Sequence, residues 1–375
     1  MKKMKFIVAI LVISLVATMS LSACGGGGSS DGGGGDAASG EKFNFVVQNM
    51  DPASSICGQY LEAWGSLITE ESDGRIEFTF YHGGSLVGAT EAVDAVLNGT
   101  ADIAWSVVGL YPGRFPVAEG TMLPMMATKN ARDGSAAAME MYRQSEDMQA
   151  EFKDFHVIQM SACSYHPFGM ANSSPKSASD LKGKRVRTPG ATINPYLTAL
   201  GMAPQVIPTP ETYESLQKNN VDATVNDWHN IAANKLLEVY ESIVDYPNFV
   251  SPLFMIMNKD SYAKLPDDLK AIFDKYSGDF ASEMAGNFWD ITRAWVIDNP
   301  QGVDIYEPDA AFVEELKLAS VASHDAYIAD LNSKGLDGQK VHDLWIEVTD
   351  KFGGKHTFDD DIDLSQYGVT VEQKS

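Results

Sequence analysis

The sequence predicts an α/β protein built as two similar lobes with a cleft between them. Three observations carry that expectation. Short runs rich in β-branched and aromatic residues alternate with stretches at helical spacing from about residue 43 to residue 257. One helix–turn–strand pattern occurs twice, 120 residues apart. Beyond about residue 260 the chain becomes helical. The length, 375 residues, suits two lobes of ordinary domain size better than one small core.

The N-terminus reads as an address and a tether. Lys2, Lys3 and Lys5 precede an apolar run from Phe6 to Val16, interrupted only by Ser14. The run ends at Leu21-Ser-Ala-Cys24, with small residues before a cysteine. This is the layout of a secretory signal peptide, and the run is too short for the ~18 apolar residues of a membrane span. Leu-Ser-Ala-Cys also resembles the bacterial lipobox, which implies cleavage after residue 23 and lipidation of the Cys24 thiol. Residues 24–41 are nearly all Gly, Ser, Ala and Asp after the cysteine, so they bury nothing and form a coil. The sixteen residues Gly25–Gly40 span roughly 22 Å on average as such a coil.

In the body, Phe43–Gln48 and Arg75–Tyr81 read as strands. Ile56, Tyr60, Trp64, Leu67 and Ile68 place a helix between them, closed by Asp73-Gly74. This strand–helix–strand rhythm implies mostly parallel sheets. The repeat pairs Glu91–Asp102 with Glu211–Asp222 without a gap. Each copy is a short amphipathic helix ending at a residue suited to positive φ, Gly99 or Asn219, followed by a strand. Leu265-Pro-Asp-Asp268 starts a helical pattern that runs to about Asp298, and further helices cover Asp309–Leu331 and Gln339–Phe352. They are placed to brace both lobes. The tail, 353–375, is polar.

Charge and absent motifs narrow the function. The chain carries 51 acidic and 28 basic side chains, net −23, and loss of residues 1–23 deepens this to −26. Such a surface excludes nucleic acid as a partner. No Gly-x-Ser-x-Gly elbow, His-Glu-x-x-His helix or Cys-x-x-Cys pair is present. The seven histidines are scattered, so no metal site is expected. The acidic run Asp359–Asp363 lacks the glycine and distal Glu of a calcium loop. Cys57 and Cys163 are open to pairing after export or to remaining buried thiols.

Two segments resemble a known family. One is Arg75-Ile-Glu-Phe-Thr-Phe-Tyr-His-Gly-Gly-Ser-Leu86 with the Glu91 helix and Gly99-Thr-Ala-Asp-Ile-Ala104. The other is Asp180-Leu-Lys-Gly-Lys-Arg-Val-Arg-Thr-Pro-Gly190, continuing through Ala199-Leu-Gly-Met202 to Glu211–Gln217 and Val221-Asp222. Together they resemble the C4-dicarboxylate-type solute-binding subunits of tripartite ATP-independent periplasmic (TRAP) transporters, over about residues 43–300. The resemblance implies a two-lobe periplasmic-binding-protein fold with a ligand cleft and long C-terminal bracing helices. Lobe I is expected at 42–164 with 253–292, and lobe II at 165–252 with 293–352. It implies a monomer that captures a small organic acid and hands it to TRAP membrane permease subunits, without enzymatic chemistry, metal or cofactor. An ABC-type or sensor-coupled binding protein is the alternative, and an exported hydrolase a more distant one.

The resemblance puts the family's carboxylate-clamping arginine at Arg187 and its supporting amide at Asn226. The residues agree. Arg185 and Arg187 alternate with Val186 on a short strand. Thr188-Pro-Gly190 then turns toward a helix expected to start near Ala191, and a strand end beside a helix N-terminus suits an anion. A guanidinium matches a carboxylate bidentately. Asn226 follows the Ala223–Val225 strand and either donates to a carboxylate or shapes the turn before Asp227. Trp228 walls the pocket or packs. Where many relatives carry a further arginine, this chain has Tyr165-His-Pro-Phe-Gly169, so Phe168 or His166 replaces a charge. That tilts the expected ligand toward a monocarboxylate with an apolar or aromatic body. Gln48 and Trp105 lie where first-lobe contacts arise in the family, and Thr209 precedes the second repeat helix.

Overall fold

The computed structural model describes residues 40–190 and 192–355, together with the dipeptides Lys5–Phe6 and Gln373–Lys374, which pair antiparallel. Cys24, the glycine-rich stretch before Gly40 and the acidic run 359–363 lie outside the described residues.

In chain order the elements are β1 (Phe43–Asn49), α1 (Ile56–Glu71), β2 (Ile76–Tyr81), α2 (Ala92–Leu97), β3 (Ile103–Val107), α3 (Ala131–Gln144), α4 (Glu146–Glu151), β4 (Phe155–Ala162), β5 (Phe168–Met170), β6 (Arg185–Thr188), α5 (Asn194–Ala199), β7 (Ala203–Val206), α6 (Thr212–Gln217), β8 (Ala223–Val225), α7 (Trp228–Ala233), β9 (Ser242–Val244), β10 (Pro252–Asn258), α8 (Lys259–Ala263), α9 (Asp267–Lys275), α10 (Asp279–Asp298), β11 (Asp304–Tyr306), α11 (Ala310–Ser333) and α12 (Gly338–Phe352). A five-stranded sheet runs β2-β1-β3-β10-β4, and a six-stranded sheet runs β11-β9-β5-β8-β6-β7. Both sheets are mostly parallel, as the strand–helix–strand rhythm predicts, and each contains one strand that runs against the rest. β1 is parallel to β2 and β3, but β10 is antiparallel to β3 and β4. β5 is likewise antiparallel to β8 and β9. The antiparallel strands are those by which the chain passes from one sheet to the other.

The two crossings lie side by side. Cys163 N donates to Ser251 O at 3.1 Å, and His166 N donates to Phe249 O at 2.9 Å. Residues 163–167 and 245–251 therefore form a two-stranded link between sheets. α10 packs against α3 and α1 of the first lobe and against α7 of the second. α11 lies on α5 and α12 on α3, so the C-terminal helices touch both lobes. Tyr327 Oη and Trp345 Nε1 both donate to Val117 O, at 2.9 and 3.0 Å. Trp64, Trp105, Trp228 and Trp345 are fully buried. Side chains of this size contribute about 1.5–3 kcal/mol or more each on leaving water.

The sequence repeat is a structural repeat. Each copy begins with one 3₁₀ turn (Ala89–Glu91, Thr209–Glu211), continues as α2 or α6, and ends at Gly99 (φ 76°) or Asn219 (φ 55°). The aspartate that follows then clips the neighbouring strand. Val46 N donates to Asp102 Oδ2 at 2.8 Å, and Arg185 N donates to Asp222 Oδ2 at 2.9 Å. Asp102 N returns to Val46 O at 3.0 Å, and Asp222 N to Arg185 O at 2.8 Å. A carboxylate here satisfies an N–H that the ladder leaves free. Asp102 also accepts from Ser261 Oγ. Asp102→Ala is therefore expected to lower unfolding stability by about 1–3 kcal/mol for each donor left without a partner. Urea unfolding measures this, and an unchanged midpoint would contradict the role assigned to the repeat aspartate.

Candidate functional site

Strand β6 sets the site by its period of two. Val186 turns to the apolar face covered by α5 and α11. Arg187 turns to the opposite face, where α6 lies, and is 1% exposed. Its Nε donates to Ile207 O at 2.8 Å, its Nη2 to Thr209 Oγ1 at 2.9 Å, and its Nη1 to Asn226 Oδ1. All three acceptors are neutral. Among the described residues no carboxylate is ion-paired with this guanidinium. Burial pulls its pKa down to about 10, only partly opposed by Tyr240 and Asp227. It is a cation at neutral pH that lacks a direct counter-charge. Arg185 lies at the surface instead, held by Asp222 through Nη2 at 2.7 Å and Nε at 3.0 Å.

The expected helix start beside Arg187 is corrected. α5 begins only at Asn194, after a turn in which Thr188 Oγ1 donates to Gly190 O at 2.9 Å. α5 also packs on the face that Arg187 leaves. The guanidinium itself, not a helix end, supplies the positive charge.

Around the clamp, Asn226 and Thr224 are buried on β8 and the turn after it. Thr224 Oγ1 shares a hydrogen bond with Tyr240 Oη, and burial raises the Tyr240 phenol to about 12. Gly169 makes room for that ring, since a Cβ there would stand 2.2 Å from Tyr240 Cζ. Asp227 caps α7, its Oδ1 accepting from Asn230 N at 2.9 Å. His166 sits on the crossing, 2% exposed, stacked on Phe249 with ring centroids 4.2 Å apart. Its Nε2 is 3.8 Å from Asp227 Oδ2, too long for a hydrogen bond. Burial above all, aided by Arg187 and opposed by Asp227, lowers its pKa to about 4. The contact is therefore not an ion pair at neutral pH. His166 Nδ1 and Trp228 Nε1 are buried without a hydrogen-bond partner.

Trp105 and Trp228 belong to one continuous apolar cluster that draws on both lobes. The Trp228 ring meets Tyr165 edge-on at 6.0 Å. Gln48 lies at the end of β1, on the face opposite Val47, with its Nε2 donating to Val87 O at 2.9 Å. Three residues on, Asp51 accepts from the Cys57 thiol. Burial raises the Asp51 carboxyl, and His229 and Asp227 of the second lobe act on it electrostatically. The end of β1 thus faces the turn that carries Asn226. Cys57 and Cys163 are buried free thiols, both raised by burial.

The structure brings together Arg187, Asn226, Thr209 and His166, with Trp228 following directly on the turn. It does not bring Phe168 to them. Phe168 points to the opposite face of the second sheet, beside Val225, Val186 and Tyr196, with no exposed surface. Adjacent strand residues face opposite ways, so Gly169 and Phe168 divide between the clamp face and the core face. Sequence reasoning missed Tyr240, Asp51 and Arg293. Arg293, on α10, donates through Nε to Tyr165 Oη and through Nη2 to Asp245 Oδ2, both at 2.8 Å. It ties the two crossings to the helix that spans the lobes. A lone arginine between the apolar Ile291 and Trp295 is the signal that marks it.

Known proteins share this architecture. The family described as bacterial extracellular solute-binding protein, family 7 (DctP), matches residues 47–329. A marine-metagenome TRAP solute-binding protein specific for aromatic acid ligands, crystallised with 3-hydroxybenzoate, is 27% identical, covers 84% of this chain and 99% of its own, and superposes with a TM-score of 0.76. A TRAP solute-binding protein from Rhodoferax ferrireducens with copurified benzoate is 26% identical, with 83% and 98% covered and a TM-score of 0.76. A monocarboxylate 2-oxoacid-binding periplasmic protein of Nostoc sp. is 27% identical over 225 residues, 55% of this chain and 57% of its own. The match to the two-sheet fold and to most of the chain places it: this protein belongs to the DctP family of extracytoplasmic solute-binding proteins, the solute-binding subunits of TRAP transporters.

Proposed function

We propose that this protein captures a small monocarboxylic acid with an apolar or aromatic body and closes its lobes around it. The observation that carries the reading is Arg187, a buried cation whose hydrogen-bond partners are all neutral. A ligand carboxylate supplies the missing charge, and the guanidinium fork matches it bidentately. Asn226 and Thr209 hold the fork in place and turn toward the same carboxylate. His166, neutral at physiological pH, offers polarity without a second positive charge, which disfavours a dicarboxylate. Trp105 and Trp228 wall the body of the ligand. The benzoate and 3-hydroxybenzoate of the two similar structures are acids of this class. The Asn226 amide and Thr209 hydroxyl beside Arg187 can donate to an anion, the Ile207 carbonyl orients the guanidinium, and such binding needs no covalent step.

The lobes divide at 42–164 with 253–292 and 165–252 with 293–352. The 163–167 and 245–251 crossings act as the hinge. Ligand contacts made from both lobes stabilise the closed state and commit the acid for release to the permease subunits. A lipid on Cys24 and the following coil keep a monomeric receptor close to that permease.

Two measurements test this reading. Arg187→Met keeps the stem and removes the charge. It is expected to weaken benzoate or 3-hydroxybenzoate binding by at least about 100-fold in calorimetry, on the order of 3 kcal/mol, with Tm not lowered. Unchanged affinity would remove Arg187 from the site. The second concerns His166. Its folded value, about 4, lies below the ordinary 6.5, so the folded protein binds fewer protons than the unfolded chain between them. Its contribution is complete above about pH 6.5 and drains away as pH falls toward 4. The stability deficit of His166→Gln at pH 7 is therefore expected to shrink by about 2–3 kcal/mol at pH 4.5. A deficit independent of pH would show that His166 is not held neutral.

A further inference from the structure

The internal repeat makes Gln48 the first-lobe counterpart of Arg187. Asp102 clips the backbone of Val46 as Asp222 clips that of Arg185, and Gln48 and Arg187 stand two residues further along those strands. Both then reach the same place in the repeat. Gln48 Nε2 donates to Val87 O at 2.9 Å, and Arg187 Nε donates to Ile207 O at 2.8 Å. Val87 and Ile207 are equivalent positions of the two copies, 120 residues apart. The partners differ in chemistry. Where the second lobe has Asn226 and Thr209, the first has Ser106 and Ala89. Ser106 Oγ lies 2.9 Å from Tyr111 Oη, which itself donates to Ala89 O at 2.9 Å. The charged fork has become a neutral amide, and the nearby hydroxyls are engaged with one another.

One atom is left over. Gln48 is 0% exposed, and its Oε1 has no hydrogen-bond partner. The amide cannot be flipped to relieve this, because the Val87 carbonyl only accepts and needs the NH₂ group opposite it. A buried acceptor without a donor is costly, and it is retained where a ligand supplies the donor. The end of β1 faces the Asn226 turn, since Asp51 senses Asp227 and His229. We propose that Gln48 Oε1 receives a hydrogen bond from the ligand's far end, so that the acid carries a hydroxyl or N–H group away from its carboxylate. The inference rests on the carboxylate reading and narrows it. The first lobe reads a neutral donor at the place where the second lobe reads an anion. The substrate class is then a hydroxylated monocarboxylic acid.

Calorimetry with paired acids tests this: benzoate against 3-hydroxybenzoate, and phenylacetate against 3-hydroxyphenylacetate. The wild type is expected to prefer the hydroxylated member of at least one pair by tenfold or more, a comparison that needs no variant. Gln48→Met, similar in shape but without the acceptor, is expected to abolish that preference. Benzoate binding with no hydroxyl preference in either pair would overturn the inference and leave the carboxylate reading standing. So would a preference that survives in Gln48→Met. Failure of the wild type to bind any of the four acids would count against both readings.

Discussion

One uncompensated charge organises the site. Arg187 is taken out of water on a strand inside an acidic protein, yet its neighbours are a backbone carbonyl, a threonine hydroxyl and an asparagine oxygen. Burying a guanidinium with only neutral acceptors costs stability unless an anion joins it. That cost becomes selectivity when the anion is the ligand. The net charge of −23 repels acids over the general surface, so capture depends on the local field of one residue. The neighbouring imidazole adds no second cation, because the same burial that desolvates Arg187 also suppresses protonation of His166.

The fold exists to aim that charge at a partner surface. Two lobes, each with the same helix–turn–strand unit, point their strand ends at each other. The aspartate of each unit fixes the register of the strand that carries the site residue. The crossings are joined by backbone hydrogen bonds and pinned by Arg293 to a helix that touches both lobes. In the proposed closure, this linkage serves as the hinge. The C-terminal helices touch both lobes, and Tyr327 and Trp345 fasten them to the first through the Val117 carbonyl.

Much of this was legible in the sequence, and the failures are instructive. The repeat helices, their left-handed ends at Gly99 and Asn219, and the separation of Arg187 from Arg185 all follow local rules of period and turn chemistry. Phe168 did not, because an alternating strand says that two faces exist without saying which one is core. The helix start at residue 191 failed since Thr188 folds back on Gly190 before α5 begins at Asn194. The parallel sheets followed from the strand–helix–strand rhythm, but the one reversed strand in each was hidden, because it is the strand on which the chain arrives from the other lobe. The equivalence of Gln48 and Arg187 was also hidden. Gln48 lies 39 residues before its carbonyl partner and Arg187 only 20, since α1 together with the strand and loops around it is longer than α5 with its own. A gapless comparison aligns the helices and misses the strands.

On the proposed reading, the buried guanidinium is half of an ion pair whose other half is the ligand. A crystal structure of the mature protein with its captured acid tests it most directly. Both carboxylate oxygens are expected within about 2.7–3.0 Å of the Arg187 Nη atoms, with the Asn226 amide turned toward them. A carboxylate bound elsewhere in the cleft, with Arg187 still engaged only by Ile207, Thr209 and Asn226, would contradict it.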